Sequence, residues 1–123
     1  MLKEQERLDD LIKENLKIIQ NDEVFSFSTD ALLLAHFTKV RKNDSILDLC
    51  AGNGVIALLL AAKSHQKIES IEIQEQLADM AQRSFKYNQL EERLSMHNMD
   101  LKDVYQTFKP SQFTLITCNP PYF

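Results

Sequence analysis

The chain has 123 residues, 44% hydrophobic and 26% charged with a formal net charge of −4, a size and balance suited to one globular domain that buries a core. Its longest apolar run, Val55–Ala62, falls far short of the roughly 18 residues of a membrane span, and Met1–Asp10 is too charged for a secretory signal, so a cytoplasmic protein with no membrane partner is expected. The acidic balance excludes a general electrostatic attraction to nucleic acid, leaving Lys39, Arg41 and Lys42 as the densest local basic cluster.

Met1–Lys13 carries Leu8, Leu11 and Ile12 at helical spacing among charges and reads as a short amphipathic helix or an arm. Leu16–Gln20 and Val24–Ser28 flank the turn-prone pair Asn21-Asp22, which predicts a β-hairpin, with a continuous helix through Leu16 as the competitor. Ser28-Thr29-Asp30 can cap a helix whose apolar face is Leu33, Leu34, Phe37 and Val40. From Ser45 the rhythm becomes strand, turn, helix: Ser45–Ala51 as a buried strand, Gly52–Gly54 as a tight turn and Val55–Lys63 as a helix. Lys67–Ile73 is a second strand, followed by a helix over Gln74–Gln89 with Leu77, Met80, Ala81 and Phe85 inward. Leu94–Asn98 is a third strand, Leu101–Phe108 a short polar helix, and Phe113–Cys118 a fourth strand after the break at Pro110. Strands separated by helices of this length build an α/β fold with a doubly wound, mainly parallel sheet, here of four core strands plus an N-terminal hairpin. Residues 1–28 therefore read as arm and hairpin, and 29–123 as the main domain. Cys50 and Cys118 lie in apolar stretches and are expected to be buried thiols, while His36, His65 and His97 lack metal-ligand spacing, so no metal is expected.

Both glycines of the chain, Gly52 and Gly54, fall in the turn after the first core strand, the usual cofactor cradle of such sheets. They allow a sharp turn and a close approach of backbone to ligand. Gly52 to Ala57 fits the dinucleotide pattern G-x-G-x-x-G/A, and Glu72 ends the next strand at the expected distance, where a carboxylate accepts hydrogen bonds from ribose hydroxyls. Asp48 would repel a pyrophosphate but suits a cationic sulfonium or an amino group. Asp100, just past the third strand, is either an acceptor for an adenine amine or a helix N-cap.

The chain closes on Cys118-Asn119-Pro120-Pro121-Tyr122-Phe123, directly after the fourth strand. Two prolines make a rigid peptide with outward carbonyls, Asn119 adds an amide, and Tyr122 adds a face on which a planar ring stacks. That set suits a conjugated NH₂ group: accepting one hydrogen on the Asn119 side-chain oxygen and one on the Pro120 carbonyl localises the nitrogen lone pair.

Taken in order, "LDLCAGNG", "IESIEI", "NMD" and "NPPY" resemble the class I S-adenosylmethionine-dependent methyltransferases that modify exocyclic amino groups. More narrowly, "ERLDDL", "LKIIQ" and "FSFSTDALLLAHF" are similar to the start of bacterial tRNA (adenine-N6)-methyltransferases acting on valine tRNA. The resemblance implies S-adenosyl-L-methionine as cofactor, with Asp48, Ala51, Gly52 and Gly54 around its methionine part, Glu72 on the ribose, Ile73 and Met99 about the adenine, and Asp100 on the adenine amine. Thr29, with Ser28 and Asp30, would close over the cofactor, and Asn119, Pro120 and Tyr122 would carry the transfer. Residues 29–123 would then be the N-terminal portion of a cofactor-binding domain, because members of that family continue past this motif with further strands. A fragment, a truncated product or half of an assembly is expected, with the last strand as an edge open to pairing with a second copy. tRNA is the expected partner. Ribosomal RNA guanine N2 or a release-factor glutamine is the neighbouring substrate, and a non-catalytic binding module or an NAD-dependent oxidoreductase the different class.

Overall fold

Strand, turn and helix alternate from Ile46 onward because each apolar run of strand length is followed by a run at helical spacing. The computed structural model describes residues 1–11, 15–23 and 29–120. Its elements are β1 (Arg7–Asp10), β2 (Lys17–Gln20), α1 (Thr29–Phe37), β3 (Ile46–Leu49), α2 (Val55–Ala61), β4 (Ile68–Glu72), α3 (Glu75–Tyr87), β5 (Leu94–Asn98), α4 (Val104–Thr107) and β6 (Leu115–Cys118), with a 3₁₀ turn at Leu101–Asp103 before α4.

The core sheet runs β5-β4-β3-β6, with every pairing parallel. Alternation along the strands sorts two layers. Ile46, Ile68, Leu94 and Met96 pack on one face against Ala31 of α1, the apolar side of α2, and Ala78, Ala81 and Phe85 of α3. Leu47 and Ile71 face the other way, against Phe108, with Met99, Val104 and Phe113 beside them. The chain steps outward from β3 to β4 and β5, then crosses back to place β6 on the other side of β3. This reversal makes the carboxyl ends of β3 and β6 the topological switch point, where ligands bind in open α/β sheets.

The expected α/β sheet is present, and α3 buries Leu77, Met80, Ala81 and Phe85 as its spacing predicts. Two local expectations change. The N-terminal segment forms a strand, β1, that pairs antiparallel with β2, so the hairpin joins Arg7–Asp10 to Lys17–Gln20; Val24–Ser28, expected as its second strand, lies outside the described residues. Helix α1 turns Ala31 and Ala35 inward and leaves Leu33 and Phe37 exposed, because small side chains permit close packing on α2. Strand β6 lies at the edge of the described sheet, beside β3, and is one-sided: Thr117 is buried while Ile116 and Cys118 are exposed.

The hairpin is fastened to α3. Leu8 and Ile19 pack on Leu77 and Met80, and the Ile19 N–H donates to Ser84 Oγ at 2.9 Å. Asn88 accepts from the Lys17 N–H at 2.9 Å and donates to the Lys17 carbonyl at 2.7 Å. Arg83 forks onto both oxygens of Glu6 at 2.6 Å, which holds the Glu6 carboxyl below its ordinary range. Among the described residues, no helix is long and apolar enough to cross a membrane.

Candidate functional site

Strand β3 releases the chain into three left-handed residues within five: Cys50 (φ 54°), Gly52 (φ 58°) and Gly54 (φ 89°). The turn is held by the Ala51 N–H on the Ile71 carbonyl at 2.9 Å and the Gly54 N–H on the Ala51 carbonyl at 3.0 Å. A Cβ on Gly54 would lie 2.9 Å and 3.0 Å from the Phe85 ring and 3.1 Å from Ala81 Cβ. Glycine at that position is thus demanded by α2 and α3 closing on each other inside the protein. The space left by the missing Cβ of Gly54 is filled by Phe85 and Ala81.

Glu72 ends β4 beneath this turn, nearly buried. Its Oε1 accepts from the Gly52 N–H and its Oε2 from the Gln74 N–H, each at 2.8 Å. The carboxylate therefore sets the shape of the turn, and each oxygen keeps a second lone pair for a hydroxyl. Asp48 is fully buried one strand away; its Oδ1 accepts from the Thr117 hydroxyl at 2.8 Å, while Oδ2 has no partner among the described residues. Burial pushes its carboxyl up to about 7, the Thr117 hydrogen bond opposes that rise, and the Glu72 charge adds to it.

The loops after β4 and β5 are stitched together: Asn98 Nδ2 donates to the Glu72 and Ile73 carbonyls at 2.9 Å and 3.0 Å, and the Met99 N–H donates to the Glu72 carbonyl at 3.2 Å. This leaves Ile73 61% exposed, an apolar side chain at the rim beside half-buried Met99. The Asp100 side chain accepts from the Lys102 N–H at 3.1 Å, the N-cap role weighed for it. Thr29 opens α1 and is exposed. Lys63, just past α2, donates to the Ala35, His36 and Thr38 carbonyls at the far end of α1, so the two helices run side by side in one direction. Thr29 therefore lies toward the end of the sheet that carries Gly54.

Strand β6 brings up the last motif. Leu49 is in register with Cys118, so Asn119 leaves β6 beside the place where Cys50 leaves β3. The expectation of buried thiols fails, because the ends of these strands are open: Cys118 is exposed and Cys50 half-buried, their thiols interact, and burial pushes the Cys50 thiol up to about 11. Asn119 is half-buried and Pro120 exposed. Tyr122 and Ser28 lie outside the described residues. Beside Asp48 and Glu72, the site has three further buried polar residues on or next to these strands: Asn53, whose Nδ2 donates to the Ile19 carbonyl at 3.1 Å, Ser70 and Thr117. No local signal marks Thr117, since threonine is ordinary in apolar strands such as "FTLITC". Among the described residues, no three His, Cys, Asp or Glu are grouped to hold a metal.

Residues 15–123 match the family model described as the methyltransferase small domain. The chain belongs to this family. As a methyltransferase small domain, it is 36% identical over 96 residues to a tRNA1(Val) (adenine(37)-N6)-methyltransferase of Shewanella halifaxensis, which covers 78% of the chain and 39% of that relative. The chain thus spans about two fifths of the length of such curated relatives. Among solved structures, a Pyrococcus abyssi tRNA (uracil-54, C5)-methyltransferase in complex with S-adenosyl-L-homocysteine superimposes with a TM-score of 0.71 at 13% identity, covering 98% of the chain and 29% of its own. TrmN from Thermus thermophilus gives a TM-score of 0.63 at 22% identity, covering 76% and 28%. These likenesses establish the fold of the methyltransferase small domain as the doubly wound sheet described above.

Proposed function

We infer that the protein transfers a methyl group from S-adenosylmethionine to N6 of an adenine in tRNA, in the cytoplasm. One observation carries this reading: the β3–β6 register sets the Gly52–Gly54 turn and Asn119-Pro120 side by side at the switch point of the sheet. The names of the curated relatives support the substrate.

The residues present fit the cofactor. The unpartnered Oδ2 of buried Asp48 suits a nearby cation, Glu72 keeps lone pairs for ribose hydroxyls, and exposed Ile73 beside Met99 offers apolar contact for a purine. Ala51, Gly52, Gly54, Asp100 and Thr29 complete the proposed binding set. When bound, S-adenosylmethionine supplies a methyl group made electrophilic by its sulfonium. The chain's own part is to bind and orient the amine: the Asn119 side-chain oxygen and the Pro120 carbonyl accept its two hydrogens, which localises the nitrogen lone pair and stabilises positive charge as it develops. Tyr122 provides the face on which the base stacks. Orientation supplies much of the remaining acceleration.

The test incubates the intact protein with methyl-labelled cofactor and, in parallel, undermodified tRNA, ribosomal RNA and a release factor. Label recovered as N6-methyladenine in tRNA is expected. Label in protein or guanine alone would overturn the substrate assignment.

A further inference from the structure

Register places Asp48 opposite Ser70 on β4 and opposite Thr117 on β6, so three polar side chains form one row across the buried face of the sheet. Thr117 is 4% exposed and Asp48 fully buried, and the hydroxyl of the first donates to Oδ1 of the second at 2.8 Å. Thr117 also stands two residues before Asn119, on the strand that delivers the transfer motif. We propose that Thr117 is a positioning residue that joins the two halves of the site, holding the Asp48 carboxylate by one oxygen and tying the strand of Asn119 and Pro120 to the strand of the glycine turn.

The chemistry follows from what surrounds the carboxylate. Helix α2 offers it only apolar side chains, and Ser70 Oγ across β4 has no partner among the described residues. Glu72 is the charged group whose field reaches it, and Cys50, just past the end of its strand, is the titratable neighbour. The Thr117 hydroxyl is therefore the hydrogen bond that favours the ionised carboxylate over the protonated one. Where S-adenosylmethionine is the ligand, as proposed above, that ionised form is the one that attracts its cationic groups. Thr117 thus tunes the charge of the site without touching ligand.

The experiment compares wild type, Thr117→Val and Thr117→Ser in the intact protein. Each is unfolded with urea from pH 5 to 10 and titrated calorimetrically with S-adenosylhomocysteine over the same range. Wild-type stability falls with rising pH and levels off just above pH 7, where Asp48 finishes losing its proton, before the raised Cys50 thiol adds a separate fall above about pH 9 that all three proteins share. In Thr117→Val the levelling point moves up by about one pH unit, the worth of a hydrogen bond to a charged acceptor, and Thr117→Ser restores it. Affinity for S-adenosylhomocysteine at pH 7 falls about fivefold in the valine variant, because the ionised fraction of Asp48 drops by that factor, and the gap closes by pH 10. An identical levelling point in all three proteins overturns the proposal. A levelling point that moves while no form binds S-adenosylhomocysteine sustains the Thr117–Asp48 coupling and overturns the cofactor reading instead.

Discussion

Replacing Asp48 by asparagine removes the one carboxyl among the described residues that burial pushes up toward neutrality. Its native value of about 7 stands roughly 3 units above the ordinary 3.8, so between those limits the native state holds a proton that the unfolded chain has released. The sign follows: stability is drawn down as pH rises through this window and changes no further above 7. Three units correspond to about 4 kcal/mol at 1.36 kcal/mol each. The substituted amide would keep an oxygen to accept from Thr117 Oγ1 but cannot ionise. Urea denaturation of wild type and Asp48→Asn at matched pH values cancels every other titration. The variant is expected to gain about 3 kcal/mol on wild type between pH 4.5 and pH 8, with the gain nearly complete near pH 7. A stability difference that stays flat with pH would refute a buried, proton-holding Asp48.

Gly54→Ala meets both a positive φ and the Phe85 ring at 2.9 Å, and is expected to lose about 2 to 4 kcal/mol in the same assay. Glu72→Gln sets an amide NH₂ against one of the two N–H donors of Gly52 and Gln74, an expected loss of about 2 kcal/mol together with weaker S-adenosylhomocysteine binding by calorimetry. Asn119→Ala should leave calorimetric affinity for S-adenosylhomocysteine nearly unchanged while lowering turnover by about 10². Arg83→Leu strips Glu6 of its fork, so limited proteolysis should cut the first eleven residues markedly faster. Because Arg83 lowers the Glu6 carboxyl, wild type should lose the same protection as pH falls below about 4.5.

The long-period features of the fold are legible in the chain because they are local. Apolar runs ending in Leu49, Glu72 and Asn98 announce strands, and the spacing of Leu77, Met80, Ala81 and Phe85 announces the buried side of α3. Strand β1 is not legible, since "RLDD" offers Leu8 alone to the interior and its pairing with β2 depends on α3, far along the chain. Helix α1 misleads for another reason. It is apolar on nearly every side, and close approach to α2 selects Ala31 and Ala35 over the larger Leu33 and Phe37, a choice that depends on interaxial distance and not on hydrophobicity.

The same distinction governs the site. Gly52, Glu72 and Asn119 announce themselves because each sits where a strand ends, and strand ends are local signals. What Asp48 does depends on which residues lie opposite it, and that is set by two registers, Asp48 with Ser70 and Asp48 with Thr117, joining segments that lie 22 and 69 residues apart. A threonine in an apolar run is ordinary in strands and carries no mark of its role. Once β6 crosses back to lie beside β3, however, that threonine is the only described side chain that donates to the buried carboxylate. The reversal in strand order that opens the ligand crevice therefore also gives the crevice its charge control, since a β6 placed beyond β5 would leave Asp48 without a donor and put β4 and β5 between Asn119 and the glycine turn.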